Sequence, residues 1–179
     1  MSHVTKTGQD IRVRLEPEEV ALLRALMEQL LALLGEAPGA DDELASMGIA
    51  ENATTPDDPV LARLFPDAYR DDGESAEEFR RYTEMGLRDG KREAAGTVLA
   101  ALADPGAGPG SEVVLDDKRA QAWLRALNDV RLALGTRLDV GEDWYEEAQS
   151  LLPDDPRAPL FAAYDWLSAL QESLVRVLW

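Results

Sequence analysis

Residues 13–35 read VRLEPEEVALLRALMEQLLALLG, and they predict a strand that leads directly into a helix. Val13 and Leu15 alternate with polar residues, as in a strand with one buried face. Pro17 suits the first turn of a helix, and the acids beside it favour the positive end of the helix dipole. Gly35 ends the helix as a cap. Apolar residues at spacings of three and four form its buried face: Val20, Leu23, Met27, Leu30 and Leu34.

The same plan recurs 100 residues later, where residues 113–135 read VVLDDKRAQAWLRALNDVRLALG. Four positions are identical, because Val13, Leu15, Leu34 and Gly35 recur as Val113, Leu115, Leu134 and Gly135. Either the chain contains a duplicated unit, or the two segments share only what any strand followed by a helix shares. In both cases the two units can pair their strands and pack their helices together.

The segments around these two units predict further elements. They are a hairpin over residues 4–15, a short helix opened by Asp58-Pro59, a long helix over residues 75–103, a short acidic helix within residues 139–152 and a last helix after Pro156. Ser75 starts the long helix through a capping box with Glu78. In the last helix Trp166 and Trp179 fall off the apolar stripe. We therefore expect them on a second buried face, either at the centre of the fold or at a homodimer contact.

These elements predict a mainly α fold with a small β element, in which two strand-helix units pack with a long central helix and a C-terminal helix. We expect a single domain over residues 1–179. Residues 36–57, rich in Pro, Gly and Asp, predict a mobile acidic loop within it. Residues 104–111, DPGAGPGS, predict a break between the long helix and the second strand.

Composition limits the function. The 179 residues carry a net charge of -17 and contain no cysteine, so the chain can form no disulfide and cannot bind zinc through thiolates. The first residues lack the apolar core of a signal peptide, and no stretch is apolar enough to span a membrane. We therefore expect a cytoplasmic location without membrane contact. The excess of acids repels phosphate backbones and favours basic partners.

The side-chain inventory argues against catalysis, and we expect no catalytic residue, no metal and no cofactor. The sole histidine, His3, lies near the N-terminus, so the chain offers no Ser-His or Cys-His pair. No glycine-rich phosphate motif is present, and residues 67–78 fail as a calcium loop because Tyr69 occupies a ligand position. Adjacent acids such as Asp41-Asp42 and Asp71-Asp72 leave one enzymatic alternative, a metal-dependent hydrolase that uses loop carboxylates.

Residues 78–94, EFRRYTEMGLRDGKREA, form a basic region in this acidic chain. Five side chains there make a candidate docking face: Arg80, Arg81, Arg88, Lys91 and Arg92. Three interpretations stay open. Pairing with acids one turn away, as between Arg80 and Glu84, would make them a solvated, salt-bridged face. Alternatively they dock an acidic protein surface, or they contact nucleic acid.

Three small residues lie one turn apart on a side of the same helix: Gly86, Gly90 and Ala94. A glycine inside a helix costs about 1 kcal/mol relative to alanine. We therefore expect another helix to approach closely at this side. The alternative is a kinked helix around Gly90.

Five runs of sequence carry a family resemblance. They are RVRLEPEEVALLRALMEQLL (12–31), DPVLARLFPDAYRDD (58–72), EFRRYT (78–83), LRDGKR (87–92) and VVLDDKRAQAWLRALNDVRLALGTRL (113–138). They resemble an actinobacterial family of a domain of unknown function that includes the actinomycete oxidative stress regulator, AosR. The resemblance extends from about Val4 to Leu178, and the acidic loop is its variable part.

This resemblance implies a non-enzymatic, cytoplasmic transcriptional regulator of oxidative stress genes that acts through protein contacts with a sigma factor or RNA polymerase. The redox-sensing version depends on a closely spaced cysteine pair, which this chain lacks, so only the scaffold carries over. An acidic regulator suits a basic protein partner better than DNA, and the acidic tracts 36–58 and 139–155 are the expected contact surfaces. The alternative is a regulator that binds DNA directly through the basic helix 78–94.

Overall fold

The computed structural model of the chain describes residues 3–35, 56–68, 71–103 and 111–179, with the backbone alone at Ser111. Most of the predicted mobile acidic loop, residues 36–55, lies outside the described residues, and so do residues 104–110 of the predicted break. The described part is mainly helical with one small sheet. The predicted fold class is therefore confirmed.

Three antiparallel strands form the sheet in the order β1-β2-β3: β1 is His3–Thr7, β2 is Asp10–Leu15 and β3 is Ser111–Leu115. Strands β1 and β2 are the predicted hairpin. Gly8 joins them with a φ of 66°, in the left-handed region that glycine adopts without a steric cost. Alternate residues of β2, among them Ile11 and Val13, are fully buried on one face, so the sheet covers one side of the core.

The described residues form six helices: α1 is Pro17–Leu34, α2 is Pro59–Leu64, α3 is Gly73–Leu102, α4 is Asp117–Arg137, α5 is Trp144–Ser150 and α6 is Ala158–Leu178. Helix α4 lies at the centre, because it contacts α1, α2, α3 and α6 as well as strands β2 and β3. Helix α3, the predicted long helix, contacts the helices of both strand-helix units. The core therefore forms around α4, with α3 bridging the two units.

The two strand-helix units are built alike. Strands β2 and β3 pair in a register that is symmetric about Val13 and Val113, which lie opposite each other. The N-cap of α1 is Glu16 and that of α4 is Asp116. Residues 100 positions apart are buried in both helices: Leu23 and Trp123, Met27 and Leu127, Leu30 and Val130, Leu34 and Leu134. The two strands pair as predicted, and the predicted apolar stripe of α1 is buried except at Val20, which is only partly buried.

The start of α3 corrects the predicted capping box. The helix begins at Gly73, two residues before the predicted start. Its N-cap is Asp72, whose Oδ1 accepts a hydrogen bond from the Ser75 backbone N–H at 3.2 Å. The Ser75 hydroxyl donates to Asp72 Oδ2 at 2.6 Å, and this hydrogen bond lowers the pKa of Asp72 below its ordinary value. A carboxylate with two local donors therefore caps the helix instead of the serine.

The glycines of α3 also differ from expectation. A Cβ placed on Gly86 or Gly90 would meet no atom within 4 Å in the part of the chain that the structure describes, beyond the helix's own backbone. Ala94, by contrast, is buried. The helix is continuous from Gly73 to Leu102. The predicted close approach of another helix is therefore wrong for the two glycines, because tight packing of this side begins only at Ala94.

The two tryptophans of α6 have different environments. Trp166 is half-buried, and its indole Nε1 donates to Glu19 Oε1 of α1 at 2.8 Å. Trp179 is 84% exposed at the end of the helix. The second face of α6 is thus partly covered at Trp166, whereas Trp179 remains a large apolar group at the surface.

Candidate functional site

Arg80 is the most buried member of the predicted docking face, with 5% of its surface exposed. Its Nη2 donates to the Phe65 carbonyl oxygen at 2.9 Å and to Asp67 Oδ1 at 2.6 Å, while Nη1 donates to Glu84 Oε2 at 3.0 Å. These bonds connect α3 to the segment that follows α2. Because Arg80 is enclosed, its charge acts within the fold.

Arg88 and Arg92 reach the C-terminus of α1. Arg88 Nη1 donates to the Leu34 carbonyl oxygen at 2.7 Å, and Arg92 donates to the carbonyl oxygens of Leu34 and Gly35 at 3.0 and 2.8 Å. The last carbonyl groups of a helix have no partner within it and attract positive charge. The last turn of α1 holds no basic residue, so α3 supplies the missing donors.

Lys91 forms an ion pair with α4. Its Nζ lies 2.6 Å from Asp129 Oδ1, and the Asp129 side chain is almost fully buried. Burial raises the pKa of Asp129 above its ordinary value, although the ammonium of Lys91 acts in the opposite direction. Together with Gly86, Gly90 and Arg125, this pair lines an open cavity of about 350 Å³ between α3 and α4.

The five basic residues therefore do not form one solvent-facing patch. Arg81 is exposed and has no ion pair or side-chain hydrogen bond among the described residues, whereas the other four make the internal contacts given above. The sequence held one signal for this arrangement, since the C-terminal turn of α1 lacks basic residues and needs donors from elsewhere. This feature lies on α1, whereas the basic residues lie on α3, so the basic helix considered by itself did not reveal it.

Residues 139–155, which we call the acidic segment, carry seven acids and no basic residue, and they contain α5. Glu147 and Asp155 are paired with Arg157, which holds the pKa of Asp155 below its ordinary value through a side-chain hydrogen bond. Other acids of the segment are exposed and form no ion pair with any described residue: Asp139, Glu142, Asp143, Glu146 and Asp154. The segment therefore carries uncompensated negative charge.

Two large apolar side chains stand among these acids. Tyr145 is 55% exposed and Leu152 is 70% exposed. The neighbouring Trp144 faces the protein, where its ring stacks on Phe161 at a centroid distance of 6.4 Å and meets the Tyr164 ring edge-on at 5.2 Å. Trp144 thus attaches the acidic segment to α6. Exposed aromatic and aliphatic groups ringed by charge are typical of protein contact sites.

The described ranges lack two kinds of feature, a cluster of metal ligands and a membrane-spanning helix. They contain no group of three or more acidic or histidine side chains placed to hold a metal ion. Of the adjacent acids considered for a hydrolase, Asp41-Asp42 lies outside the described residues, while Asp72 serves as the cap of α3. No helix of the described chain combines the length and apolarity needed to cross a bilayer.

Comparisons with known proteins agree on one family. The family described as "Domain of unknown function (DUF2017)" matches residues 1–178. Proteins named "Oxidative stress regulator AosR" from Mycobacterium bovis and Mycobacterium tuberculosis are each 37% identical over 191 aligned residues, which cover 97% of this chain and 84% of the relative. No solved structure matches this chain. Because the family matches nearly the whole length of the chain, and in agreement with the resemblance found in its sequence, the chain belongs to the DUF2017 family.

Proposed function

We propose that this protein is a non-enzymatic transcriptional regulator of the oxidative stress type that acts through contacts with a basic protein surface, on a sigma factor or RNA polymerase. The relatives named oxidative stress regulators support the regulatory role. These 179 residues contain no cysteine, so regulation here works without a cysteine redox switch.

The observation that carries this proposal is the acidic segment. Glu142, Asp143 and Glu146 lie together around α5 without ion pairs to described residues, beside the exposed ring of Tyr145. Uncompensated acids attract a basic partner over several ångströms and set its orientation, while a buried aromatic group supplies affinity. An acidic surface with an apolar anchor fits a basic protein better than it fits a nucleic acid.

The direct DNA-binding alternative has little support from the basic helix. A duplex is bound by several cationic side chains that neutralise phosphates at once. Arg80, Arg88, Lys91 and Arg92 instead donate to carbonyl and carboxylate oxygens of the same molecule. Using them on DNA would require these bonds to break, in a molecule whose net charge of -17 opposes the approach.

Crosslinked pull-down from the native cell, followed by mass spectrometry, identifies the partner, and binding to the purified sigma factor or polymerase then tests the surface. We expect the triple variant Glu142→Lys, Asp143→Lys and Glu146→Lys to weaken binding by at least about tenfold, because close charge pairs at interfaces contribute about 1.5 kcal/mol or more. The affinity of the unmodified protein should also fall as salt rises.

The matched control changes the same number of exposed acids elsewhere: Glu28→Lys, Glu93→Lys and Asp165→Lys. It alters net charge equally, so a nonspecific electrostatic effect would weaken both variants alike. Equal loss in the two variants, or failure to recover any sigma factor or polymerase subunit, would count against the proposal. Tight, sequence-selective binding of the purified protein to a promoter fragment would favour the DNA-binding alternative.

A further inference from the structure

A second open cavity, of about 360 Å³, lies where α2, α4 and α6 meet. Arg63 from the last turn of α2 and Arg131 from α4 both line it, and Tyr164 of α6 forms another part of its wall. A volume in this range suits a small organic molecule. None of the contacts that hold the basic residues of α3 involves this cavity, so it is separate from the region described above.

The two arginines have no acidic partner in the described ranges. Neither Arg63 nor Arg131 takes part in an ion pair or a side-chain hydrogen bond there, although the guanidinium carbon of Arg131 lies 6.0 Å from the centroid of the Tyr164 ring. In a chain with 35 acidic and 18 basic residues, two unpaired guanidinium groups at one cavity stand out. A guanidinium group binds carboxylate and phosphate through paired, charge-assisted hydrogen bonds.

The remaining wall is suited to the organic part of such a ligand. The Tyr164 ring packs on Gly135, where a Cβ would lie 3.1 Å from Tyr164 Cε2, so the glycine allows the ring its position. Leu132 and Val140 add apolar surface. The Tyr164 hydroxyl forms no hydrogen bond within the described chain and can donate to or accept from a ligand.

One acidic side chain limits how a ligand can be oriented in the cavity. Asp139 also lines the cavity, and its backbone is held at a φ of 52°, in the left-handed region. Its carboxylate repels a second anionic group on that side and accepts a hydrogen bond from a ligand donor. The cavity therefore favours a ligand with one anionic end.

We propose that this cavity binds a small organic anion, whose carboxylate or phosphate group is held by Arg63 and Arg131 and whose apolar or planar part lies against Tyr164, Leu132 and Val140. This site is additional to the proposed protein contact. Its binding is measured on the purified protein, so its failure would leave the protein-contact proposal untouched, and the converse also holds.

Three probes at matched ionic strength test the proposal by calorimetry and by amide chemical shifts in NMR. Phenyl phosphate and benzoate share a ring and differ in the anionic group, so they separate the two ligand chemistries, while inorganic phosphate lacks the ring. We expect at least one ring-bearing probe to bind more tightly than inorganic phosphate. We also expect the largest shifts at the amides of Gly135, Thr136 and Val140.

Arg63→Gln and Arg131→Gln should each weaken binding of that probe by about tenfold, because each removes charge-assisted hydrogen bonds. The matched control is Arg81→Gln, which removes the same charge from an exposed position on α3 and should change binding by less than about twofold, since distant charges are screened. Circular dichroism shows whether each variant is folded, and Arg131→Met, which also removes the charge, replaces Arg131→Gln if the latter is not.

The proposal is overturned if neither ring-bearing probe binds, or if Arg81→Gln weakens binding as much as the two cavity variants. It is also overturned if the bound probe shifts amides outside α2, α4 and α6 while those around Gly135 stay unchanged. The proposal is likewise overturned if both cavity variants are folded and still bind the probe as tightly as the unmodified protein.

Discussion

At the scale of single residues, the basic side chains of α3 differ sharply although they are neighbours in sequence. Arg80 is enclosed and donates to Phe65, Asp67 and Glu84, whereas Arg81 is exposed and unpaired among the described residues. Removing a buried cation leaves buried oxygens without donors, and removing an exposed one affects little. The adjacent pair therefore provides its own control.

We expect Arg80→Met to lower the free energy of unfolding by about 3 kcal/mol, since it breaks a buried ion-pair network. Arg81→Met should change it by less than about 0.5 kcal/mol, as is usual for exposed positions. Urea denaturation followed by circular dichroism measures both. Similar losses in the two variants would mean that the burial of Arg80 does not matter for stability.

The pair of Lys91 and Asp129 predicts a dependence on pH. Burial raises the pKa of Asp129, and replacing Lys91 with Met would raise it further by removing the nearby positive charge. A carboxyl whose pKa is higher in the folded than in the unfolded state destabilises the fold above its folded pKa. That penalty disappears below the pKa of the unfolded state, which is about 4.

Lys91→Met should therefore lower the free energy of unfolding by about 3 kcal/mol at pH 7.5. This loss of stability should shrink as the pH falls towards about 4. Unfolding free energies of the variant and the unmodified protein, measured across that range, give the difference. Lys118→Met is the control, because Lys118 is exposed and has no ion pair with a described residue. If the loss of stability in Lys91→Met grew as the pH fell, the predicted direction of the pH dependence would be wrong.

The residue scale is also where prediction from sequence was weakest. Local pairing such as Arg80 with Glu84 follows from helical spacing, and it is present. The contacts of Arg88 and Arg92 with Leu34 and of Lys91 with Asp129 join residues 38 to 58 positions apart. Such contacts depend on how helices are placed in space, which spacing along one helix does not determine.

At the scale of elements, α1 and α3 supply each other's C-termini with donors. Arg88 and Arg92 of α3 reach the end of α1, and Arg24 of α1 donates to the Leu102 carbonyl oxygen at the end of α3, at 3.2 Å. Neither helix has a basic residue in its own last turn. The two helix ends are thus satisfied by tertiary contacts, which favours one fixed arrangement of the pair.

Two glycines of α3 predict substitutions that stabilise the protein, unlike those of Arg80 and Lys91. Gly86 and Gly90 lie inside a continuous helix, and a Cβ at either position would meet nothing within 4 Å among the described residues. Gly86→Ala and Gly90→Ala should therefore each raise the free energy of unfolding by about 1 kcal/mol. Thermal denaturation measures the gain.

Gly135→Ala serves as the contrast, because its Cβ would lie 3.1 Å from the Tyr164 ring. We expect that variant to gain less than the other two or to lose stability. If Gly86→Ala and Gly90→Ala were destabilising, the two positions would have to be packed against a part of the molecule that restricts them.

Element types followed well from the sequence, and their ends followed less well. Apolar periodicity, together with cap and proline signals, placed the predicted helices, and each of them is present in the described residues. The start of α3 was wrong because Asp72 and Ser75 are both good N-cap residues, and local sequence does not decide between them. At the start of α6 Leu160 is exposed, whereas the adjacent Phe161 is buried. Stacking of Phe161 on Trp144 explains that difference.

At the scale of the whole molecule, the two strand-helix units share one sheet and one core. Val13 and Val113 lie opposite each other across β2 and β3, and α4 packs on α1 as well as on both strands. Neither unit can bury its apolar face without the other. We therefore propose that residues 1–179 fold as a single domain, in which the acidic segment and the arginine-lined cavity are placed on a common α4 and α6 framework.

A single domain of this size should unfold in one cooperative step. Intrinsic fluorescence comes from four tryptophans, of which Trp123 is fully buried in α4 and Trp144 and Trp166 are half-buried, so it reports on the packing of α4, α5 and α6. Far-UV circular dichroism reports on all helices. We expect both signals to give the same urea midpoint.

Val113→Ala should lower that midpoint in both signals together, because it reduces the free energy of unfolding by about 2 kcal/mol. Val114→Ala, at the next position and 44% exposed, should leave it nearly unchanged. Separate midpoints for the two signals would show that the units unfold independently, and that the pairing of β2 with β3 does not couple them.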